Sequence, residues 1–194
     1  MAIPPTTVAR PIARLSARVF AYLVDSVVLL AFILVFFVLA GLQLLVAASR
    51  VDGDPSDAAF IAAIAIFSGG ALLSWTIVNV ALMRWRGQTA GMYVIGIKAV
   101  SEDTNSLTIG RVLLRWFAIH PLLLHPFLII PWSISTLLSL DFALSRLGIA
   151  TAAALLLLTL VSPVVNLLLM LFGQRRRALH DRLAHTLVVH LDRP

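Results

Sequence analysis

Four apolar runs, each 25 to 30 residues long, are the feature that most constrains this chain. About 20 consecutive apolar residues are enough to cross the hydrocarbon core of a bilayer. Only 12% of the residues are charged, against about 25% in a soluble domain, so the chain cannot cover itself with a water-soluble surface. The sequence therefore predicts an all-α polytopic membrane protein with four transmembrane helices, at Val19–Ala48, Ala58–Met83, Trp116–Leu140 and Leu147–Gly173.

The basic residues fall almost entirely on one side of these spans. Thirteen of the fifteen Lys and Arg residues lie in the N-terminal tail, the connection between spans two and three, and the C-terminal tail. Because cytoplasmic loops carry the excess of basic residues, we expect both termini to be cytoplasmic. The predicted organisation is a cytoplasmic tail and interfacial helix over 1–18, a membrane domain over 19–173 with a cytoplasmic loop at 84–115, and a cytoplasmic tail over 174–194.

Two short segments outside the spans favour β-structure. Tyr93–Val100 and Thr186–His190 are rich in β-forming residues. A lone strand leaves its backbone groups unpaired, so the two are expected to pair in a small cytoplasmic β element. Just before the first of them, Gly87, Thr89 and Gly91 make a loop motif in which the glycines permit backbone conformations closed to other residues. We expect a tight interfacial loop there.

Polar groups inside the spans mark the candidate site. Asp25 lies in the first span, where a charge is costly and is usually functional. Arg18, two helical turns earlier on the same face, and Arg115 are its predicted partners. Two interpretations stay open: a buried ion pair that orients helices, or a titrating, ion-binding carboxylate. Asn79 and Asn166 add polar interior positions, which fit either helix–helix contacts or a polar path that includes Asp25.

The third span carries His120-Pro121 and His125-Pro126, with Pro131 beyond them. Prolines remove helix hydrogen bonds, so this span is predicted to be kinked or broken. Histidines five residues apart do not share a helix face, and no metal site is predicted. Two interpretations stay open for His120 and His125: hydrogen bonding to backbone freed by the prolines, or ligation by one of them of a haem or a chlorin-like pigment.

The composition and the motifs also exclude several classes of activity. The chain has no cysteine, which excludes disulfides, thiolate nucleophiles and Cys-based metal sites. Its glycines are not followed by the Gly-Lys-Ser/Thr of a phosphate-binding loop, and no exposed Ser, His and Asp cluster indicates hydrolysis. Membrane orientation accounts for the basic residues. The sequence therefore predicts a non-enzymatic protein with no cofactor and no nucleic-acid partner.

Four segments in a fixed order resemble the RDD family of membrane proteins, which is named for one Arg and two Asp residues. Arg18 and Asp25 resemble its Arg and first Asp, and Asp181 resembles its second Asp. Ala90 and Met92 stand where the family has Pro and Lys. The matching segments are Arg18–Asp25, Gly87–Gly91 followed by Gly96–Val100, Arg111–Arg115, and Leu179–Val189.

The resemblance implies a multi-pass protein of a bacterial or archaeal cytoplasmic (inner) membrane. It also implies that Arg115 is the equivalent arginine of the family's next basic helix. We therefore expect Arg18, Asp25, Arg115 and Asp181 to form a charge network near the cytoplasmic half of the bundle. Transport is suspected for the family, and cation/proton exchange has been proposed for some members.

Two functions fit these observations. The first is an accessory or assembly subunit that packs against other membrane proteins or against copies of itself. The alternative is a small cation/proton exchanger or solute transporter that uses Asp25. A four-helix chain of 21.1 kDa is small for a transporter unless it oligomerises. The sequence therefore favours the accessory role.

Overall fold

A computed structural model shows the architecture of the chain. Long apolar helices form its body, and a two-stranded sheet with short helices forms one end. The structure describes residues 11–49, 56–102, 106–118, 120–128, 146–173 and 175–191.

Long apolar helices dominate the described residues. Helix α1 is Leu15–Ser49. The next helical rod comprises α2 (Asp57–Ile64), a π-helical turn at Ala65–Gly70, and α3 (Ala71–Arg86). Three segments are long and apolar enough to cross a membrane: Leu15–Ser49, Asp57–Ile95 and Ile149–Phe172. The third of these lies in the long helix near the C-terminus, which is α6 in chain order and is Arg146–Phe172.

The third predicted span does not continue as one helix where the structure describes it. Helix α5 (Ile109–Phe117) ends at Ala118, which leaves the helical region with φ −80° and ψ 64°. The chain then turns and makes a 3₁₀ turn at Pro126–Leu128. Proline lacks an N–H and disfavours a helical residue before it, so the two His-Pro pairs break the helix rather than bend it. Residues 129–145, with Pro131, lie outside the described residues.

A small sheet closes one end of the bundle. Strands β1 (Ile97–Ser101) and β2 (Thr186–His190) pair with each other, as predicted, and the pairing is antiparallel with Ala99 opposite Val188. Ile12 adds an isolated bridge to Val189. The predicted interfacial helix before the first span is therefore wrong over residues 11–14, which are extended, and residues 1–10 lie outside the described part of the chain. We call this part of the molecule the sheet end.

The first predicted strand begins too early. A short helix, α4 (Ala90–Ile95), includes Tyr93–Ile95, which were predicted as strand, and Ala90 and Gly91, which were predicted as the end of the tight loop. The Thr89 side chain accepts a hydrogen bond from the Met92 N–H and so starts this helix. Gly96, with φ 75°, ends it in the left-handed conformation that glycine adopts without strain. Local capping overrides the β propensity of Tyr93–Ile95.

The loop motif also fixes the sheet to the helices. Gly87 has φ 69° and ends α3, and its carbonyl accepts a hydrogen bond from the Ala99 N–H at 2.8 Å. The buried Gln88 side chain donates to the Ile97 carbonyl at 2.8 Å. Strand β1 is therefore bound to the turn between α3 and α4.

Two apolar clusters fill the described interior. One lies at the sheet end and joins the start of α1 to α4, α5 and both strands. The other lies deeper between α1, the α2–α3 rod and the turn at 120–128. Trp75 in α3 belongs to this deeper cluster and donates to the Leu122 carbonyl at 3.0 Å. The turn is thus held inside the protein, where non-helical backbone at membrane depth is tolerated.

Candidate functional site

Asp181 is the centre of a buried charge cluster at the sheet end. It is fully buried in helix α7 (Leu179–Leu183), which follows α6 after a short connection. Arg18 of α1 donates to one carboxylate oxygen at 2.7 Å, and Arg115 of α5 pairs with the other. Arg115 also donates to the Thr186 hydroxyl of β2 at 2.8 Å. One carboxylate therefore joins three helices and a strand.

Electrostatics keeps Asp181 ionised. Burial acts to raise its pKa, but the guanidinium groups of Arg115 and Arg18 hold the pKa of Asp181 far below its ordinary value. Each arginine also has donors left over. No acceptor among the described residues lies within hydrogen-bond distance of Nε and Nη2 of Arg18 or of Nε of Arg115. Two cations therefore share one carboxylate.

Asp25 does not belong to this ion pair, which corrects the sequence prediction. Its carboxylate is buried and accepts from the Thr89 hydroxyl at 2.6 Å and from the Gly91 N–H at 2.7 Å. The described residues supply these donors from the start of α4 rather than from Arg18 or Arg115. Through these two hydrogen bonds, Asp25 of α1 connects this helix to the start of α4.

The two histidines of the turn are held by their neighbours. The backbone N–H groups of Leu122 and Phe127 donate to Nδ1 of His120 and His125, at 3.2 and 3.1 Å. The Nδ1 atoms are therefore acceptors, and the proton of each neutral ring lies on Nε2. His125 Nε2 is 2.8 Å from the Ser26 hydroxyl. Both ring nitrogens of His125 are thus occupied, which argues against a haem or pigment ligand there.

His120 lies beside His180, which is not among the residues of the predicted site. Its ring stacks on Trp116, and its centroid is 4.4 Å from that of His180 in α7. His180 Nε2 lies 3.5 Å from Asp181, so the two rings extend the charge cluster toward the turn. Thr186 was also missed. His180 could have been found from its position next to Asp181, and Thr186 from its position in the predicted second strand. Among the described residues, no group of three or more His, Asp or Glu side chains could hold a metal.

The two buried asparagines have separate roles. Asn79 donates to the Trp75 carbonyl of its own helix at 2.9 Å. Asn166 donates to the Ser162 carbonyl at 2.8 Å and accepts from the Leu179 N–H at 3.0 Å, which binds α7 to α6. Only Asn166 shares a cavity with Asp25, so the structure does not bring all three polar positions together.

That cavity lies between α1 and α6 and has a volume of about 240 Å³. Its polar wall consists of the two arginines, the two clustered histidines, Asp25 with Thr89, and Asn166. The rest of its wall is mostly apolar and includes Val19, Leu122, Leu167 and Met170. Ligand sites are typically apolar concavities with a few polar groups that fix orientation, which is the pattern found here.

The buried His180 predicts a pH-dependent stability. Burial lowers the pKa of the His180 imidazole to about 3, from 6.5. Between these values the unfolded chain binds more protons than the folded one, so stability is lost as the pH falls through this window, by up to about 1.4 kcal/mol per pH unit. Thermal unfolding in detergent between about pH 7 and about pH 4.5 should show this loss. His180→Asn should flatten the dependence. Equal pH profiles for wild type and His180→Asn would contradict the assignment of this proton to His180.

The cluster joins three of the residues that carried the family resemblance, Arg18, Arg115 and Asp181. The RDD family profile matches residues 12–185. This chain belongs to the RDD family. RDD proteins are membrane proteins, which agrees with the three apolar helices. No curated protein and no solved structure matches the chain. Of the three residues that resemble the Arg and the two Asp in the family's name, Arg18 and Asp181 are in contact, whereas Asp25 is bonded to α4.

Proposed function

We propose that this RDD protein is a small, non-enzymatic solute-transport protein of the cytoplasmic membrane that binds its solute in the cavity between α1 and α6. The observation that carries the proposal is the cavity itself, about 240 Å³ in volume, with ionisable side chains on an otherwise apolar wall. A purely structural ion pair does not need such a space beside it. The cavity lies next to two of the long apolar helices, which suits a solute that enters or leaves the membrane domain.

Asp25 is not the solute-coupling carboxylate in this proposal. Both its oxygens accept hydrogen bonds from α4, at 2.6 and 2.7 Å. An exchanger carboxylate must release such partners or its proton in each cycle, and release here would detach α4 from α1. We assign Asp25 the role of a fixed contact at the cavity wall.

Filling the cavity tests the proposal. Leu167 lines it, whereas its neighbour Leu168 does not, and both side chains are partly exposed. Leu167→Trp should occlude the cavity, and Leu168→Trp is the matched control. The unfolding temperature is measured in phosphatidylcholine nanodiscs with sodium, potassium, hexanoate, hexylammonium and hexanol added singly. At least one solute should stabilise wild type and Leu168→Trp but not Leu167→Trp.

Two outcomes would contradict solute binding in the cavity. In one, none of the five compounds raises the unfolding temperature. In the other, the two tryptophan variants respond alike. In either case the accessory role becomes the better account.

An accessory or assembly role is the second candidate, and α6 favours it. This helix exposes large apolar side chains on most of its described surface and joins the other described elements mainly through α7. Such a helix can pack against another subunit or against a second copy of the chain as well as against lipid. Mass spectrometry of protein purified in mild detergent should then reveal a stoichiometric partner that an α6 variant such as Leu160→Trp removes.

The charge asymmetry predicts the orientation, with the sheet end in the cytoplasm and both termini there. The chain has no cysteine of its own, so single introduced cysteines report on position without background. Arg175→Cys, at an exposed site of the sheet end, should react with a membrane-impermeant maleimide only after the cells are opened. Ala58→Cys, near the other end of the rod, should react in intact cells. Labelling of Arg175→Cys in intact cells would contradict the predicted orientation.

A further inference from the structure

The polar wall of the cavity has unequal numbers of charges at its arginine side. Arg18 and Arg115 carry two positive charges there, and Asp181 supplies one negative charge to both. Asp25 is the other carboxylate on the wall, but its oxygens accept hydrogen bonds from Thr89 and Gly91. At the arginine side two guanidinium groups therefore share one ion-pair partner among the described residues, since Asp25 pairs with neither of them.

The same side has unused hydrogen-bond donors. The Arg18 side chain is only 8% exposed and that of Arg115 only 4%. Nε and Nη2 of Arg18 and Nε of Arg115 have no hydrogen-bond acceptor among the described residues. A buried donor without an acceptor has lost its hydrogen bonds to water without replacement, and this loss is greater when the donor is charged. Several such donors on one cavity wall indicate a place for an acceptor that comes from outside the chain.

The remainder of the cavity sets the shape of that acceptor. Val19, Leu122, Leu167 and Met170 line it with apolar surface. Its volume of about 240 Å³ is below the roughly 300–1,000 Å³ of sites that enclose a drug-sized ligand. The space therefore fits a short apolar chain or the head group of a longer molecule.

We infer that the cavity binds an amphiphilic anion, with its acidic group against Arg18 and Arg115 and its apolar chain along α1 and α6. The inference rests on the proposed solute binding and adds the charge and shape of the solute. Arginine suits this task because its planar guanidinium offers several donors in a fixed geometry to an acidic group. A free carboxylic acid and the head group of an anionic lipid both have this chemistry.

The Arg18→Lys substitution separates the effect of the unused hydrogen-bond donors of Arg18 from the effect of its positive charge. Lysine retains a cation to pair with Asp181 but loses Nε and Nη2, the two unused donors of Arg18. Arg14→Lys, one turn earlier at an exposed position of the same segment, is the matched control. Affinity for hexanoate is measured by thermal shift in phosphatidylcholine nanodiscs, with hexylammonium and hexanol as the cationic and neutral analogues.

Wild type and Arg14→Lys should bind hexanoate in preference to both analogues. Arg18→Lys should weaken hexanoate binding by about tenfold or more while its unfolding temperature without ligand stays close to that of wild type. In a second arm of the experiment, the unfolding temperature is measured in nanodiscs made of phosphatidylglycerol instead of phosphatidylcholine. Stabilisation in that arm alone, reduced in Arg18→Lys but not in Arg14→Lys, would identify the acidic group as a lipid head group.

Three results would overturn the inference. Stabilisation by hexylammonium or hexanol but not hexanoate, lost in Leu167→Trp, would keep the solute site and refute its preference for anions. Equal responses of Arg18→Lys and Arg14→Lys would refute the role of the unused donors. No stabilisation by any analogue or by phosphatidylglycerol would refute the inference, and it would refute the proposed function as well if sodium and potassium also had no effect. If Arg18→Lys fails to fold, Arg115→Lys, which removes the unused Nε of the second arginine, replaces it in the same comparison.

Discussion

Replacing Asp181 with asparagine is expected to destabilise the protein by about 3–5 kcal/mol, because it leaves two buried guanidinium groups without their counter-charge. Arg18 and Arg115 both pair with this one carboxylate, and their side chains are 8% and 4% exposed. The loss would separate α7 from α1 and α5 at once. Unfolding in mixed detergent micelles, followed by tryptophan fluorescence, measures the change.

Glu102 provides the control for this prediction. It pairs with Arg175 and Arg177 at 2.9 and 2.6 Å, but these pairs are more exposed to solvent than the Asp181 cluster. Exposed pairs contribute about 0–1 kcal/mol, so Glu102→Gln should have a small effect. Equal losses from Asp181→Asn and Glu102→Gln would show that the buried cluster does not hold the sheet end together.

Gly91→Ala is the second change with a large expected effect. A Cβ atom at this position would lie 1.9 Å from the Ala21 carbonyl oxygen and 2.9 Å from Cγ of Asp25. The nearest atom belongs to the backbone of α1, so rotation of a side chain cannot relieve the overlap. The helices must move apart, at a cost above the roughly 1–3 kcal/mol of ordinary overpacking. The expected result is a loss of folded protein or a strongly lowered unfolding temperature.

Gly110→Ala is the control for that substitution. Gly110 lies in the first turn of α5, and a Cβ atom there would have no neighbour within 4 Å. This variant should be as stable as wild type or slightly more stable, since alanine favours helix over glycine. If Gly91→Ala were equally well tolerated, the close contact between α4 and α1 would be wrong.

The sequence predicted those parts of the fold that depend on composition and on local pattern. Long apolar runs gave the helices at α1, the α2–α3 rod and α6, and β-forming residues gave the second strand and its partner. It failed where a single side chain decides the local conformation. Thr89 caps α4 and turns Tyr93–Ile95 from the predicted strand into helix. Residue propensities do not take such a capping hydrogen bond into account.

The sequence predicted which residues belong to the site, but it did not predict which of them contact one another. Burial cost indicated that Asp25 needs a partner, helix spacing and the family resemblance added Arg18, Arg115 and Asp181, and three of these four residues do contact one another. The packing of α4 and α7 decides which carboxylate pairs with the arginines, and one of the two donors to Asp25 is a backbone N–H. Backbone donors have no sequence signature. The cavity arises from the spacing of α1 and α6, which pattern analysis does not give.

The comparison of Asp25→Asn with wild type in proteoliposomes tests the central claim, that Asp25 is a fixed contact and that the cavity serves an anion. Sodium- or potassium-driven proton flux is measured beside hexanoate binding and the unfolding temperature. We expect no alkali-cation-driven proton flux from wild type. Asp25→Asn should unfold at a lower temperature, since an amide can accept from only one of the two donors now held by Asp25, and the folded variant should still bind hexanoate. Cation-driven proton exchange by wild type, abolished in an Asp25→Asn variant of unchanged stability, would contradict the account.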